Sequence, residues 1–166
     1  MATRSLIGIL DADGNTFRAR YCHLNGDPAQ QLPALGQALH KHHDGDVAQL
    51  ATSLMKYDWT FLAANDATAE IADPSVRDPH LPDHLQPVSG VGYRHTTIPD
   101  GTPPITGAVD GDAAGMIAWL YFLVDHQVRV YRGGDSRWKP FGRFTAVDLN
   151  HLHLADLTTR QVVADA

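Results

Sequence analysis

The residues that could bind a phosphate-bearing ligand fall together near the C-terminal end of the sequence. Five of the thirteen Lys and Arg residues lie within sixteen positions and are interspersed with aromatic rings. Guanidinium groups bind phosphate oxygens in pairs, and rings stack on bases. We therefore predict a site for a phosphate-bearing small molecule or a flipped-out base, built from Arg129, Tyr131, Arg132, Arg137, Trp138, Lys139 and Arg143. The alternative is a strand pair whose aromatic side chains, Phe141 and Phe144 included, face the core while the arginines lie in water.

A cysteine and a histidine are adjacent at positions 22 and 23, which raises the alternative of a thiol hydrolase. Neighbouring side chains of a strand point to opposite faces, so Cys22 and His23 cannot form a nucleophile and base pair with each other. Arg20 lies on the same face as Cys22 and could at most favour its thiolate. We favour a buried structural thiol, because free cysteine is among the most buried residue types.

Ten histidines raise the question of a metal site. His40 and His43 are three residues apart in a predicted helix, and His151 and His153 would share one face of a strand. Together they could supply four ligands to a metal-assisted hydrolase. Their spacing matches neither H-E-x-x-H nor a Cys/His finger. Solvated histidines near a helix end, favoured by the helix dipole, are therefore the preferred interpretation of His40, His42 and His43.

Other catalytic signatures are missing from the sequence. No serine stands in a G-x-S-x-G elbow, and Gly90-Val91-Gly92 lacks the third glycine and the following helix of a dinucleotide site. A nucleophilic Thr3 would require the removal of both preceding residues. We therefore predict no cofactor, and we favour a non-enzymatic binding protein over a small hydrolase.

Composition bounds the class of protein. The 166 residues are 43% apolar and 19% charged, which is typical of one globular domain, and the net charge of −6 disfavours nucleic acid as a partner. The longest apolar run, Met116 to Val124, is short against the roughly 20 residues of a membrane span. The lone Cys22 can form no internal disulfide and no secretory leader precedes Ser5, so we expect a cytoplasmic protein without membrane contact.

The N-terminal half predicts a hairpin followed by two short helices. Leu6 to Leu10 and Thr16 to Cys22 are strand-like, with turn residues between them. Asp27 and Pro28 begin a helix, although Pro33 requires either that one turn ends there or that the helix starts near Leu32. Asp46 caps a second helix with apolar residues at helical spacing.

The C-terminal half predicts further strands after a proline-rich insertion at about 73–104. Seven of the ten prolines fall in this insertion, where only Val88 to Thr97 looks like a strand. Met116 to Val124, Val128 to Arg132 and Trp138 to Phe144 predict three more strands, with a short buried helix as the alternative for the first. The tail from Ala146 is ambiguous. We expect one α+β domain over 1–166, with a mainly antiparallel sheet and two helices on one face. A homo-oligomer would form through a sheet edge or through Met116 to Val124.

The N-terminal pattern also resembles a family of short, mostly uncharacterised proteins encoded by tailed phages and prophages. The matching positions are Thr3, Arg4, Ser5, Ile7, Gly8, Ile9, Tyr21, Cys22, His23, Gly26 and Pro28, with Trp138-Lys139-Pro140 similar to the ending of such proteins. The sequence departs from the family at Leu24, Asn25 and Asp27, where an aromatic residue, Asp and Tyr are usual. The resemblance covers about half of the chain.

The resemblance implies an accessory protein that acts in the cytoplasm of an infected cell. Small phage proteins of this kind include counter-defence factors that bind a host protein or sequester a nucleotide messenger. We interpret Tyr21-Cys22-His23 as a mark of kinship and a folding signal, and we predict that the function lies in the basic, aromatic segment downstream.

Overall fold

The computed structural model describes residues 2–65, 68, 79–99, 101–113, 115–152 and 157. Within these ranges the strands are β1 (Ser5–Leu10), β2 (Thr16–Cys22), β3 (Trp59–Leu62), β4 (Gln86–Val88), β5 (Gly92–Arg94), β6 (Ile105–Ala108), β7 (Trp119–Val124), β8 (Gln127–Gly134) and β9 (Arg137–Thr145). The helices are α1 (Pro28–His42), α2 (Val47–Leu54) and α3 (Ala146–Asn150), and Asp83–Leu85 form one 3-10 turn.

The nine strands belong to one mixed sheet with the order β4-β5-β3-β2-β1-β7-β8-β9, and β6 pairs with β2. Strands β1 and β7 run parallel, as do β2 and β3, while the other described pairs are antiparallel. The predicted α+β class, with a mainly antiparallel sheet and an N-terminal hairpin, is confirmed.

Turn chemistry explains the opening hairpin. The Asp13 carboxylate accepts hydrogen bonds from the backbone N–H groups of Asn15 and Thr16, and Gly14 has a φ of 68°. An Asp that bonds the backbone two residues on, next to a glycine in the left-handed region, reverses the chain without strain. Leu10 consequently lies opposite Phe17, and the β1–β2 register is set.

Helix α1 begins where the Asp27-Pro28 pair predicts, with the Asp27 carboxylate accepting from the Gln30 N–H at 3.2 Å. Both alternatives for Pro33 are wrong, because the helix runs through it to His42. A proline leaves the carbonyl four residues earlier without its helical donor. That carbonyl belongs to Ala29, which is exposed, so water can satisfy it.

The other two helices also follow from their caps. In α2 the Asp46 carboxylate accepts from the N–H groups of Ala48 and Gln49, as the sequence predicts. The first residues of the ambiguous tail form α3, which begins with a reciprocal capping box between Thr145 and Asp148. Three helices are therefore described where the sequence predicted two.

The sheet buries apolar side chains on both faces. The helix-side core includes Ile7, Leu50, Trp59 and Tyr121 with the buried faces of the helices. The opposite face has a smaller core of Leu6, Leu10, Phe17, Ala19, Leu120 and Phe122. Strand β7 supplies both cores alternately, which accounts for its continuous apolar run.

Most side chains of β7 are buried because the two cores cover its faces, whereas Met116, which precedes this strand, is 68% exposed. A homo-oligomer through a sheet edge or through Met116 to Val124 stays a prediction. No helix within the described ranges is long and apolar enough to cross a membrane.

The described part of the proline-rich insertion holds two short strands instead of one from Val88 to Thr97. Strands β4 and β5 pair in a tight hairpin in which Gly90 has a φ of 69°. Pro87 lies in β4, at the edge of the described sheet, where the lack of an N–H costs least. Residues 73–78 of the insertion lie outside the described ranges.

Candidate functional site

The pairing of β8 with β9 divides the predicted phosphate-binding residues between the two faces of the sheet. Tyr131 and Trp138 pack against the smaller core, and by alternation Arg129 and Arg143 share their face. The residues on the helix side are Arg132, Arg137 and Lys139. The predicted set therefore does not form one site.

Part of the set does line a common hollow, which we call the arginine hollow. Its lining consists of Arg129, Val130, Tyr131, Pro140, Phe141, Gly142 and Arg143, and its volume is about 480 Å³. The register of β8 against β9 shifts between Val130 and Tyr131, so a bulge shapes this surface. The volume lies within the range of small-molecule sites, which is about 300–1,000 Å³.

The charges of the arginine hollow are arranged across the two strands. Arg129 is directly opposite Arg143, and like charges in this position repel each other. The Arg129 guanidinium lies 3.0 Å from Asp125, a carboxylate whose side chain is 71% exposed. The buried Nε of Arg129 has no hydrogen-bond partner within the described part of the chain. An anion between the two guanidinium groups would relieve the repulsion.

On the helix side, Arg137 and Lys139 are exposed, as the solvated alternative describes, whereas Arg132 is partly buried. Arg132 stacks over the ring of Trp119, with 5.9 Å from its Cζ to the ring centroid. The Lys139 amine lies 3.4 Å from Asp135, and both side chains are more than half exposed. These residues contribute packing and surface charge, and nothing in their geometry brings them to the arginine hollow.

The geometry does not favour Cys22 as a nucleophile. Its side chain is fully buried in the helix-side core, and its Sγ lies 3.5 Å from the Leu24 carbonyl oxygen. Burial raises the pKa of this thiol to about 11, outweighing the hydrogen bonds from Gln31 and Ser5 that favour the thiolate. Arg20 does not reach it, since its guanidinium donates to the carbonyls of Met55 and Thr102.

The histidines proposed as metal ligands are engaged elsewhere or lie apart. His43 is only 9% exposed, with Nδ1 2.8 Å from the Ala38 carbonyl and Nε2 2.9 Å from the Ser53 hydroxyl. The solvated interpretation of His43 is therefore wrong, because its ring is buried and bridges α1 and α2. The Nε2 of His40 lies 2.6 Å from the Ala146 carbonyl.

His151 is exposed, and His153 lies outside the described residues. Among the residues that the structure describes, no group of three or more His, Cys, Asp or Glu side chains could hold a metal ion. The metal-assisted alternative therefore has no site in these ranges.

A second polar cluster lies at the end of β2, in the motif that we interpreted from the sequence as a mark of kinship and a folding signal. We call Arg4, Tyr21, His23 and His95 the Tyr21 cluster. The Nε of Arg4 donates to the Tyr21 hydroxyl at 3.0 Å, and that hydroxyl is 2.7 Å from Nδ1 of His23. The His95 ring meets the His23 ring edge-on, with 5.7 Å between centroids. All four side chains are half-buried.

A gap in the sheet positions this cluster. The outer edge of β2 pairs with β6 as far as Ala19 and with β3 at Cys22, so the N–H of Tyr21 faces no strand. The Asp58 carboxylate takes its place and accepts that N–H at 2.8 Å, while the Asp58 carbonyl accepts from the His95 N–H at 2.9 Å. One residue therefore anchors both Tyr21 and His95.

The electrostatic surroundings favour a neutral His95. Burial is the largest cause that lowers the pKa of His95 below its usual value, and the neighbouring His23 adds to it. The Asp58 carboxylate opposes both effects. Nδ1 of His95 lies 2.6 Å from the hydroxyl of Thr97, which orients the ring.

Strand alternation divides the N-terminal motif into two halves. The inward half consists of Ser5, Cys22 and Gly26, which are buried, and the Gly26 N–H donates to the Thr3 carbonyl at 3.0 Å. The other half, Arg4, Tyr21 and His23, forms the cluster. The hairpin register could have predicted the second half, because Leu6 lies opposite Tyr21 and hence Arg4 precedes β1 beside His23. No sequence signal connects His95 to this group.

Comparisons of the chain with protein-family models, with curated proteins and with solved structures find no match in any of the three. The arginine hollow and the Tyr21 cluster are therefore judged on their own geometry and charge.

Proposed function

We propose that this chain is a non-enzymatic binding protein for a phosphate-bearing small molecule, and that the ligand lies in the arginine hollow. One observation carries the proposal: Arg129 and Arg143 are opposed across paired strands, beside Tyr131, in an open hollow. Two guanidinium groups suit the oxygens of a phosphate or pyrophosphate better than any neutral ligand.

The ring of Tyr131 supports a ligand that also carries a base. Tyr131 is half-buried and its ring packs on Phe122 with 5.8 Å between centroids, so it is held before a ligand arrives. Bases stack on aromatic side chains with little dependence on sequence. A nucleotide would place its phosphates between the arginines and its base near the ring.

The overall charge favours a small ligand over a polyanion. With a net charge of −6, the chain repels a long nucleic acid, whereas a small anion experiences mainly the local field of the two arginines. Together with the resemblance to phage proteins, this supports an accessory role in the cytoplasm of an infected cell, where the protein would sequester a nucleotide messenger. A host protein is the alternative partner.

A thermal-shift screen against linear and cyclic nucleotides tests the proposal. A ligand present at 100 times its Kd stabilises the fold by about 2.7 kcal/mol, which raises the melting temperature measurably. We expect at least one nucleotide to do so, and we expect Arg129→Gln combined with Arg143→Gln to remove the shift.

The matched control is Arg137→Gln combined with Lys139→Gln, which removes the same number of positive charges from β9 on the helix side. This control should keep the shift. If no nucleotide stabilises the protein while a host protein co-purifies with it in a defined complex, the protein-binding alternative replaces the proposal.

A further inference from the structure

We infer that the Tyr21 cluster is a second binding site, specific for a small oxyanion of the phosphate class and strengthened by protonation of histidine. The inference uses none of the residues of the arginine hollow and does not rest on the function proposed above. It rests on the arginine and the two histidines brought together at the end of β2, on their hydrogen bonds and on the local balance of charge.

The hydrogen bonds of the cluster leave donor groups unused. Among the described residues, the Arg4 side chain is hydrogen-bonded only through its Nε, so its two terminal nitrogens are available. The Tyr21 hydroxyl lies 2.7 Å from Nδ1 of His23, so this ring nitrogen is engaged and Nε2 is the nitrogen that can contact a ligand.

His95 completes the site from the other side of the gap. Its Nδ1 is engaged by Thr97, which leaves Nε2 for a ligand, and its ring centroid is 6.3 Å from that of Tyr21. The rings of Tyr21, His23 and His95 pack against one another, with 5.7–6.3 Å between centroids, and each is partly exposed, so a ligand would lie on the exposed side of the cluster. Partly exposed arginine and histidine donors suit an oxyanion, which accepts from several directions.

The neighbouring charges favour an anion. The Asp58 carboxylate is buried, accepts the Tyr21 N–H and has the Arg20 guanidinium 3.9 Å away, so it is largely compensated. His84 also faces His95 at longer range. The pocket behind His95 holds about 10 Å³, room for one water, and its charged lining consists of Arg20, Lys56, Asp58 and Arg94.

The same geometry makes binding depend on pH. Burial and His23 hold the pKa of His95 below its usual value, and an anion beside the ring would raise that pKa again. Linkage then requires that the anion binds more tightly when His95 is protonated, so affinity rises as the pH falls through the range below about 6.5.

Sulfate is the probe for the test, because it keeps two negative charges across this range. Every protein in this experiment also carries Arg129→Gln and Arg143→Gln, so that the arginine hollow does not contribute to sulfate binding. We expect sulfate to perturb the NMR signals of His23 and His95, to raise the pKa of His95, and to bind at least about fivefold more tightly at pH 5.5 than at pH 7.5.

Two variants and one control decide the outcome. Arg4→Gln should weaken sulfate binding at both pH values, and His95→Gln should remove most of the pH dependence. Arg18→Gln is the control, because Arg18 is an exposed arginine of the same hairpin, paired with Asp11 at 3.6 Å. Sulfate affinity that is independent of pH, or that Arg18→Gln lowers as much as Arg4→Gln does, would overturn the inference.

Discussion

The arginine hollow and the Tyr21 cluster place cationic groups in two different ways. In the hollow, two arginines on an edge hairpin concentrate charge beside Tyr131, which packs against the smaller core. In the cluster, a single arginine begins a hydrogen-bonded series through Tyr21 to His23, anchored by Asp58. Composition therefore reveals the first region, whereas only strand alternation and long-range pairing reveal the second.

The N-terminal motif also contains two different environments, and Cys22 belongs to the buried, inward half. Because its thiol is buried and its pKa is raised to about 11, we expect native protein to resist thiol reagents at pH 8. Labelling that needs unfolding should be slower than that of a free thiol by at least about a thousandfold. The lone cysteine makes a mass measurement unambiguous, with denatured protein as the positive control. Rapid labelling of native protein would contradict the burial of Cys22 in the inward half of the motif.

Two substitutions compare how much the inward half of the motif and the Tyr21 cluster contribute to the free energy of unfolding. A Cβ at Gly26 would lie 2.7 Å from the Thr3 carbonyl oxygen, so Gly26→Ala should lower the free energy of unfolding by about 2 kcal/mol. His23→Gln, in the half-exposed cluster, should change it by no more than about 0.5 kcal/mol. Chemical denaturation measures both, and equal losses would contradict the division.

The pH dependence of the free energy of unfolding tests the environment of His95 in the Tyr21 cluster. The folded-state pKa of His95 is lowered, so the unfolded chain takes up this proton first as the pH falls below about 6.5. The contribution of His95 to the free energy of unfolding is therefore present above that pH and is lost on acidification. Denaturation at pH 7.5 and pH 5.5 should show a smaller acid loss in His95→Gln than in the wild type. An unchanged or larger loss in the variant would mean that the environment of His95 is not as described.

The smallest effect is expected on the helix side of β9, outside both regions. Lys139 and Asp135 are 3.4 Å apart, with side chains 51% and 91% exposed. Exposed pairs contribute little, so Lys139→Gln should change the free energy of unfolding by less than about 0.5 kcal/mol. A clearly larger loss would show that these basic residues contribute to the fold and are not simply solvated.

Local chemistry explains how much of the fold the sequence predicts. Asp13 and Gly14 form the hairpin turn, and Asp27 and Asp46 cap the first two helices, through contacts within three residues. The interpretation of Pro33 fails because the cost of a helical proline depends on whether water reaches Ala29, which is a tertiary property.

The candidate sites depend on contacts between distant segments, which explains why they are predicted less well. The pleat of β8 and β9 separates Arg132 from Arg129, although both belong to one basic segment. His95 lies beside Tyr21 because Asp58 accepts hydrogen bonds from the backbone N–H groups of both residues. These three residues are far apart in the sequence. Neither the register shift nor the gap has a local signature.

The most direct test of the proposed function is the side-chain NMR signal of Arg129. Its Nε–H is buried and lacks a partner in the described part of the chain. On titration with the nucleotide that stabilises the protein most, we predict that the Nε–H signals of Arg129 and Arg143 shift together and in proportion to occupancy. Those of Arg132 and Arg137 should stay in place. A nucleotide that binds while the Arg129 signal does not move would contradict the account.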